Sequence, residues 1–209
     1  MTESHGIKGA VEIVEPSRTE RAIARRAAES RATVPDLALS VDADLTATLA
    51  LIAERSASVT AALVRAVALA LREHPRANGA YRDGHFELYS RINAGVMLPS
   101  SEAATVLDAD QKPLEDLTAE IEDLERRAVE LTSPELSGAT FTIAQYGVTR
   151  ADALITPPHA VALAAGEIRD MAGSPLLTLT LSYDHRIVYG TYAAAFLGGI
   201  RRRLEEAEL

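Results

Sequence analysis

The segment Ser182-Tyr183-Asp184-His185-Arg186-Ile187-Val188-Tyr189-Gly190 carries the strongest chemical signal in the chain. Its histidine follows directly on an alternating Leu/Thr run and precedes a glycine that leads into a helix. Side chains at such strand ends sit on a rigid element with one side open, which suits a catalytic base. An imidazole changes charge near neutral pH, so it can take a proton and return it. A plainer role is also open: His185 and Arg186 as turn residues, paired locally with Asp184. A second segment runs from Ser137 to Gly147, with Phe141-Thr142-Ile143-Ala144-Gln145 at its centre, and is followed by Ile155-Thr156-Pro157-Pro158-His159-Ala160. Alone, it reads as a strand, a turn and a Pro-Pro corner. His5, His74, His85, His159 and His185 form no pair with metal-ligand spacing and no carboxylate cluster accompanies them, so no metal site is expected. A glycine-rich phosphate loop and a Gly-x-Ser-x-Gly elbow are both missing.

The elements that must position these residues form a mixed α/β pattern. Val11–Pro16 reads as an extended lead-in. Ser17-Arg18-Thr19-Glu20 has the form of a capping box, opening a helix to about Ser30. Pro35 stops it, and Leu37, Leu39 and Val41 alternate with polar or small residues as a strand. Asp44 or Thr46 caps a helix through Glu54. Another starts near Ser58 or Thr60, carries Leu63, Val67 and Leu71 on one face, and ends before His74-Pro75. Tyr81 to Tyr89 reads as a hairpin turning at Asp83-Gly84. Strands are expected at 92–98, 104–107, 140–145, 160–165 and 176–183. An amphipathic helix is expected over 113–132, turning Leu114, Leu117, Ile121, Leu124 and Ala128 inward, and a closing helix over 192–206.

At 209 residues the chain is long enough for one domain with a sizeable core, and residues 1–209 are read as a single domain. Apolar residues make up 47% and charged residues 24%, ordinary globular proportions that argue against disorder. Basic residues number 21 against 30 acidic, a net charge of −9, which speaks against nucleic acid as a partner. No apolar run approaches the roughly 20 residues that span a bilayer, and Met1–Ala10 lacks the pattern of a signal peptide. The expectation is a cytoplasmic protein. With no cysteine, disulfides, thiolate metal sites and a cysteine nucleophile are excluded. There are 38 alanines and only two lysines, a bias that fits a GC-rich genome.

Several blocks then matter together: Arg21-Ala-Ile-Ala-Arg-Arg26 with Glu29-Ser30; Val34-Pro35 and Val41 to Thr46; His74-Pro75 with Asn78; Ile92-Asn-Ala-Gly95; Ala109-Asp-Gln-Lys-Pro-Leu114; Gly138 to Ile143; Pro157-Pro158; and Leu181-Ser-Tyr-Asp-His-Arg186. In order and spacing, over most of the chain, they resemble the catalytic domain of the dihydrolipoamide acyltransferases. These are the E2 components of 2-oxoacid dehydrogenase complexes, relatives of chloramphenicol acetyltransferase. The resemblance implies an α/β, chloramphenicol acetyltransferase-like fold: a mixed central sheet flanked by helices, assembled as a homotrimer with sites at the subunit interfaces. It implies that His185 is a general base for a thiol or hydroxyl acceptor, which then attacks the thioester of an acyl-CoA. No bound cofactor is implied; acetyl-CoA or another acyl-CoA is the donor substrate, with an acyl carrier protein as the alternative.

The departures from the family pattern are as informative. The family's Ser or Thr hydroxyl for the tetrahedral oxyanion is Ala144 here, and loss of such a donor costs about 10²–10³ in rate. Thr142, two residues back on the same strand face and about 7 Å away, is a poor direct replacement. The aspartate expected four residues after the histidine is Tyr189; Arg21, Arg25 and Arg26 are candidates for the cation it would have paired with. His185, Tyr189 and Gln145 are thus the candidate catalytic residues, with Thr142, Ala144, Ser182 and Asp184 facing substrate. The leading expectation is a stand-alone acyltransferase carrying acetyl from CoA to a small-molecule hydroxyl, in the narrower form a tetronate O-acetyltransferase of antibiotic biosynthesis. Two alternatives stand beside it: a non-catalytic trimeric scaffold, and a core subunit of a 2-oxoacid dehydrogenase complex. The chain shows no lipoyl segment or apolar tail, so a free trimer is expected in place of a larger cubic assembly.

Overall fold

A computed structural model describes residues 9, 11–98, 103–128 and 130–209. The chain runs α1 (Arg18–Thr33), β1 (Asp36–Asp44), α2 (Thr46–Arg55), α3 (Val59–Glu73), β2 (Gly79–Arg82), β3 (His85–Leu88), β4 (Ala94–Met97) and β5 (Ala103–Val106). It continues through α4 (Leu114–Arg126), α5 (Ser133–Ser137), β6 (Phe141–Gln145), β7 (Val161–Met171), β8 (Ser174–Asp184) and α6 (Gly190–Glu205). Single 3₁₀ turns lie at Pro75–Ala77 and Ala109–Gln111.

Six strands form one sheet in the order β1-β8-β7-β6-β4-β5, while β2 and β3 make a separate hairpin. The sheet is mixed as expected: β6 pairs parallel to both β4 and β7, and the other neighbours are antiparallel. Side chains alternate across a strand, so the Leu/Thr pattern of β8 divides the sheet into two different faces. Leu177, Leu179, Leu181 and Tyr183 join Phe141, Ile143, Val161 and Leu163 in the main core, packed against α3, α4 and α6. Thr178, Thr180, Ser182 and Asp184 face the other way, in register with Ala162 and Ala164 of β7 and with Thr142 and Ala144 of β6. That second face is polar and lined with small residues, and the cavity described below lies over it.

The main core is built largely from alanine and leucine. Helix α3 buries Ala61, Ala62, Leu63, Val64, Ala66, Val67, Ala68, Ala70 and Leu71, nearly its whole circumference, because it lies beneath α4 and α6 and over the sheet. Such a helix has no polar side to spare. Among the described residues no single helix is long and apolar enough to cross a membrane. No group of three or more metal-ligating side chains occurs among them either.

Most local expectations hold, with differences at the ends. The Ser17 capping box is formed, Ser17 Oγ accepting from Glu20 N at 3.2 Å and Glu20 Oε2 accepting from Ser17 N at 2.7 Å. Its helix continues to Thr33, and Val34 before Pro35 takes an extended conformation. Ser58 caps α3, and Asp83 and Gly84 both adopt positive φ (47° and 83°), the form a two-residue hairpin requires. The helix expected over 113–132 stops at Arg126, where the Arg127 guanidinium turns to bind both Asp123 and Glu135. A second capping box, Thr132 with Glu135, then starts α5, which the sequence reading passed over. β7 runs six residues past the expected 165, because a register shift between Ala165 and Ile168 lets it keep pairing with β8 through polar sequence.

Candidate active site

His185 stands one residue beyond β8, exposed, with its N–H donating to the Pro35 carbonyl at 3.1 Å. Its neighbours are aromatic. The Tyr189 ring lies edge-on with its centroid 5.8 Å away, and the Tyr183 ring is at 6.1 Å. Tyr189, 44% exposed, is the N-cap residue of α6, at the position where the resemblance led aspartate to be expected. Asp184 is buried and committed to Arg186: Oδ1 accepts from the backbone N and Nε, each at 2.9 Å, and Oδ2 accepts from Nη2 at 2.7 Å. Arg186 in turn stacks on Tyr81, 4.9 Å from the ring centroid. Asp184 therefore fixes the turn that presents His185, which is a positioning role; the substrate-facing role expected of it is not what the geometry gives.

Thr142 and Ala144 line a cavity of about 580 Å³ on the polar face of the sheet. Its walls come from β6, the 153–159 segment, the turn of Leu136–Thr140, and Ile23 and Arg26 of α1. Ser30 Oγ donates to the Ile155 carbonyl at 2.6 Å, tying α1 to that segment. Gln145 is elsewhere. Strand alternation sends it to the opposite face, where its Oε1 accepts from Thr60 Oγ1 at 2.7 Å. It therefore cannot replace the donor lost at Ala144, contrary to the role expected of it. Ser182 lies on the same face as Thr142, but two strands away, fully buried, its Oγ without a hydrogen-bond partner and outside the cavity.

The sequence reading missed His159, taken there as part of a Pro-Pro corner. It is buried against this cavity, its Nε2 2.9 Å from the Ala139 carbonyl and its Nδ1 3.3 Å from Thr142 Oγ1. A carbonyl can only accept, so Nε2 carries the proton and donates, leaving Nδ1 to accept from the Thr142 hydroxyl. Thr142 thus spends its one proton on His159. Burial pushes the His159 pKa down to about 4, partly opposed by the Ala139 hydrogen bond, so the ring is neutral at ordinary pH. The available sequence signal was a histidine placed immediately before the apolar run Ala160–Ala165, where a side chain has to point inward.

The two halves of the site are far apart in one chain. Ala144 pairs with Ala164 and Ala164 with Thr180, five residues before His185. At strand spacings that is about 16 Å along the sheet and 10 Å across it, so about 19 Å in all. His185 and Ala144 are therefore too far apart to act on one bond within a single chain, although the cavity itself extends from Ala144 to His159.

Residues 8–209 match the model of the 2-oxoacid dehydrogenases acyltransferase (catalytic domain), and the chain belongs to that family. A curated relative is the dihydrolipoyllysine-residue acetyltransferase component of the pyruvate dehydrogenase complex from Rhizobium meliloti. It is 32% identical over 226 residues, which covers 94% of this chain and 51% of the relative. The chain thus spans about half the length of the curated relatives it matches. Among solved structures, a truncated catalytic core of the 2-oxoacid dehydrogenase multienzyme complex from Thermoplasma acidophilum superposes with a TM-score of 0.88 at 26% identity, covering 95% of this chain and 100% of that one. Chloramphenicol acetyltransferase shares the fold, with a TM-score of 0.61 at 13% identity over 93% of this chain and 98% of that one.

Proposed function

We propose that the chain is an E2-type acyltransferase, exchanging a short acyl group, acetyl foremost, between CoA and an acceptor that His185 deprotonates. The observation that carries this reading is His185 itself, held exposed at the end of β8 by the Asp184–Arg186 pair with an open side for substrate. The imidazole takes the proton from the acceptor S–H or O–H, and the freed sulfur or oxygen attacks the thioester carbonyl. The tetrahedral intermediate collapses with cleavage of the C–S bond, and the CoA thiolate recovers the proton from the imidazolium. Because His185 and Ala144 are about 19 Å apart in one chain by strand spacing, a second copy supplies the missing half of each site, as a homotrimer with interface sites does.

The pyruvate dehydrogenase relatives shift the weight from a hydroxyl acceptor to a dihydrolipoyl thiol, the reading first set as an alternative. Ala144 supports a second reading, acyl transfer to a small-molecule hydroxyl such as a hydroxymethyl tetronate, since it is here that the chain leaves its family's pattern. An acyl carrier protein is the alternative donor, and a cytoplasmic location suits either version. The test is turnover of acetyl-CoA with dihydrolipoamide and with small alcohols, in wild type and His185→Ala. Loss of a proton-transfer base costs about 10²–10⁴ in rate. His185→Ala is expected to fall by that much with its solution mass unchanged; an unchanged rate excludes His185 as the base.

A further inference from the structure

We infer that the substrate exchanged against CoA carries an anionic group, a carboxylate or similar acid, gripped by Arg26 and Arg82 at the Ala144 cavity. The inference rests on the acyltransferase reading for what the cavity is used for, and on the following observations for its charge. The chain holds 30 acidic residues against 21 basic, yet among the described residues the charged side chains lining this cavity are Arg26 and Arg82, with no aspartate or glutamate in that lining. Arg26 is exposed on α1 and makes no ion pair among the described residues. Arg82 pairs with Glu87 at 3.3 Å and also reaches the Tyr89 hydroxyl; the Glu87 pair is exposed, within the β2–β3 hairpin and outside the cavity. Pairs of that kind contribute little and are readily exchanged for a better-placed anion.

A neighbouring cavity of about 440 Å³ shares Arg82, Pro157, Pro158 and His159 with the first and adds Glu29 and Arg186. Arg186 is already occupied by Asp184, so the guanidiniums available to a ligand are Arg26 and Arg82. Much of the remaining lining is apolar, with Met97, Ala103, Ala144 and Leu154 contributing. A guanidinium fork matches a carboxylate with two parallel hydrogen bonds, and the apolar wall suits a short hydrocarbon body. The combination selects an apolar chain that ends in an acid.

Lipoate and lipoamide test this, because they share one skeleton and differ in charge. Both are titrated calorimetrically in oxidised, unreactive form into the full chain without CoA. Lipoate is expected to bind at least about tenfold more tightly than lipoamide, and Arg26→Gln and Arg82→Gln are each expected to remove most of that difference while lipoamide binding stays as it was. Arg26→Lys, which keeps the charge, is expected to retain part of it. Acetyl-CoA titrated into the same variants separates the other source of anions. If the variants lose acetyl-CoA and keep their preference for lipoate, the guanidiniums serve the CoA phosphates and the inference is overturned. Equal binding of lipoate and lipoamide to wild type, or no lipoate binding in the millimolar range, overturns it too. The titration requires no turnover, so it fails or succeeds separately from His185 as the base.

Discussion

Ala144 and His159 both line the cavity, and each sets a measurable consequence. Ala144 offers no hydrogen to an oxyanion, and Thr142 cannot compensate while its proton is held by His159. Removal of an oxyanion donor costs about 10²–10³ in rate, so Ala144→Ser is expected to raise kcat by about tenfold or more, with the KM for acetyl-CoA little changed. Steady-state kinetics of the purified variant check this; no gain means that another group already fills the role. His159 has a consequence for stability. Its pKa in the folded chain is about 4 against an ordinary 6.5, because the charged ring would be buried. Between those values the unfolded chain binds a proton that the folded one refuses. The stability is fully present above pH 6.5 and is lost as pH falls toward 4, by about 3 kcal/mol in total. His74, lowered chiefly by burial, acts in the same direction. Urea unfolding at pH 7 and pH 4.5 is expected to show this loss in wild type and a clearly smaller one in His159→Gln. His185 was legible in the sequence because a strand and a glycine frame it. His159 was not, because nothing in a Pro-Pro corner says which way the next side chain turns.

At the level of elements, the segment from Val148 to Ile155 roofs the polar face of the sheet and is held where β7 breaks register. Glu167 N donates to the Val148 carbonyl at 2.8 Å. Gly166 sits in the same shift with its Cα facing the strap: a Cβ there would lie 2.3 Å from the Thr149 carbonyl oxygen and 2.9 Å from that of Val148. Both neighbours are backbone, so Gly166→Ala has to move the strap, and Ala153 and Leu154 of the cavity wall move with it. Overpacking of this kind costs about 1–3 kcal/mol. Gly198 gives the contrast. It lies exposed within α6 with nothing inside 4 Å of its added Cβ, where alanine is favoured by about 0.5–1 kcal/mol. The same chemical change is therefore expected to shift the urea midpoint down at 166 and up at 198. The strands and helices themselves were mostly readable, since β8 alternates and α1 and α3 carry their caps in the sequence. What escaped the reading depends on distant partners: the far half of β7 is a strand only because β8 lies beside it, and α4 ends where Arg127 finds Glu135.

At the scale of the whole molecule, His185 and Ala144 lie about 19 Å apart in one chain by strand spacing. On the proposed reading, that separation makes function depend on assembly. A trimer has a mass near 67 kDa, three times 22.3 kDa, which light scattering reads directly. A mass alone leaves open whether the sites are shared, and mixing two inactive variants decides it. His185→Ala keeps an intact cavity and lacks the base. Ala144→Trp keeps the base and fills the cavity, since a side chain buried at 2% exposure on β6 has no other direction to grow. Homotrimers of either variant are expected to be inactive. After dissociation and reassembly at equal ratio, an interface at which the His185-bearing chain meets the open-cavity chain is whole. With random assortment that is about one interface in four, so activity near a quarter of wild type is expected in the mixture. If each chain worked alone, no mixing ratio would restore turnover, because every chain carries one defect. Recovery that tracks the product of the two variants' fractions, highest at equal ratio, is the signature of a site built by two copies. A flat zero over all ratios, with wild-type chains reassembled to full activity under the same conditions, rules it out.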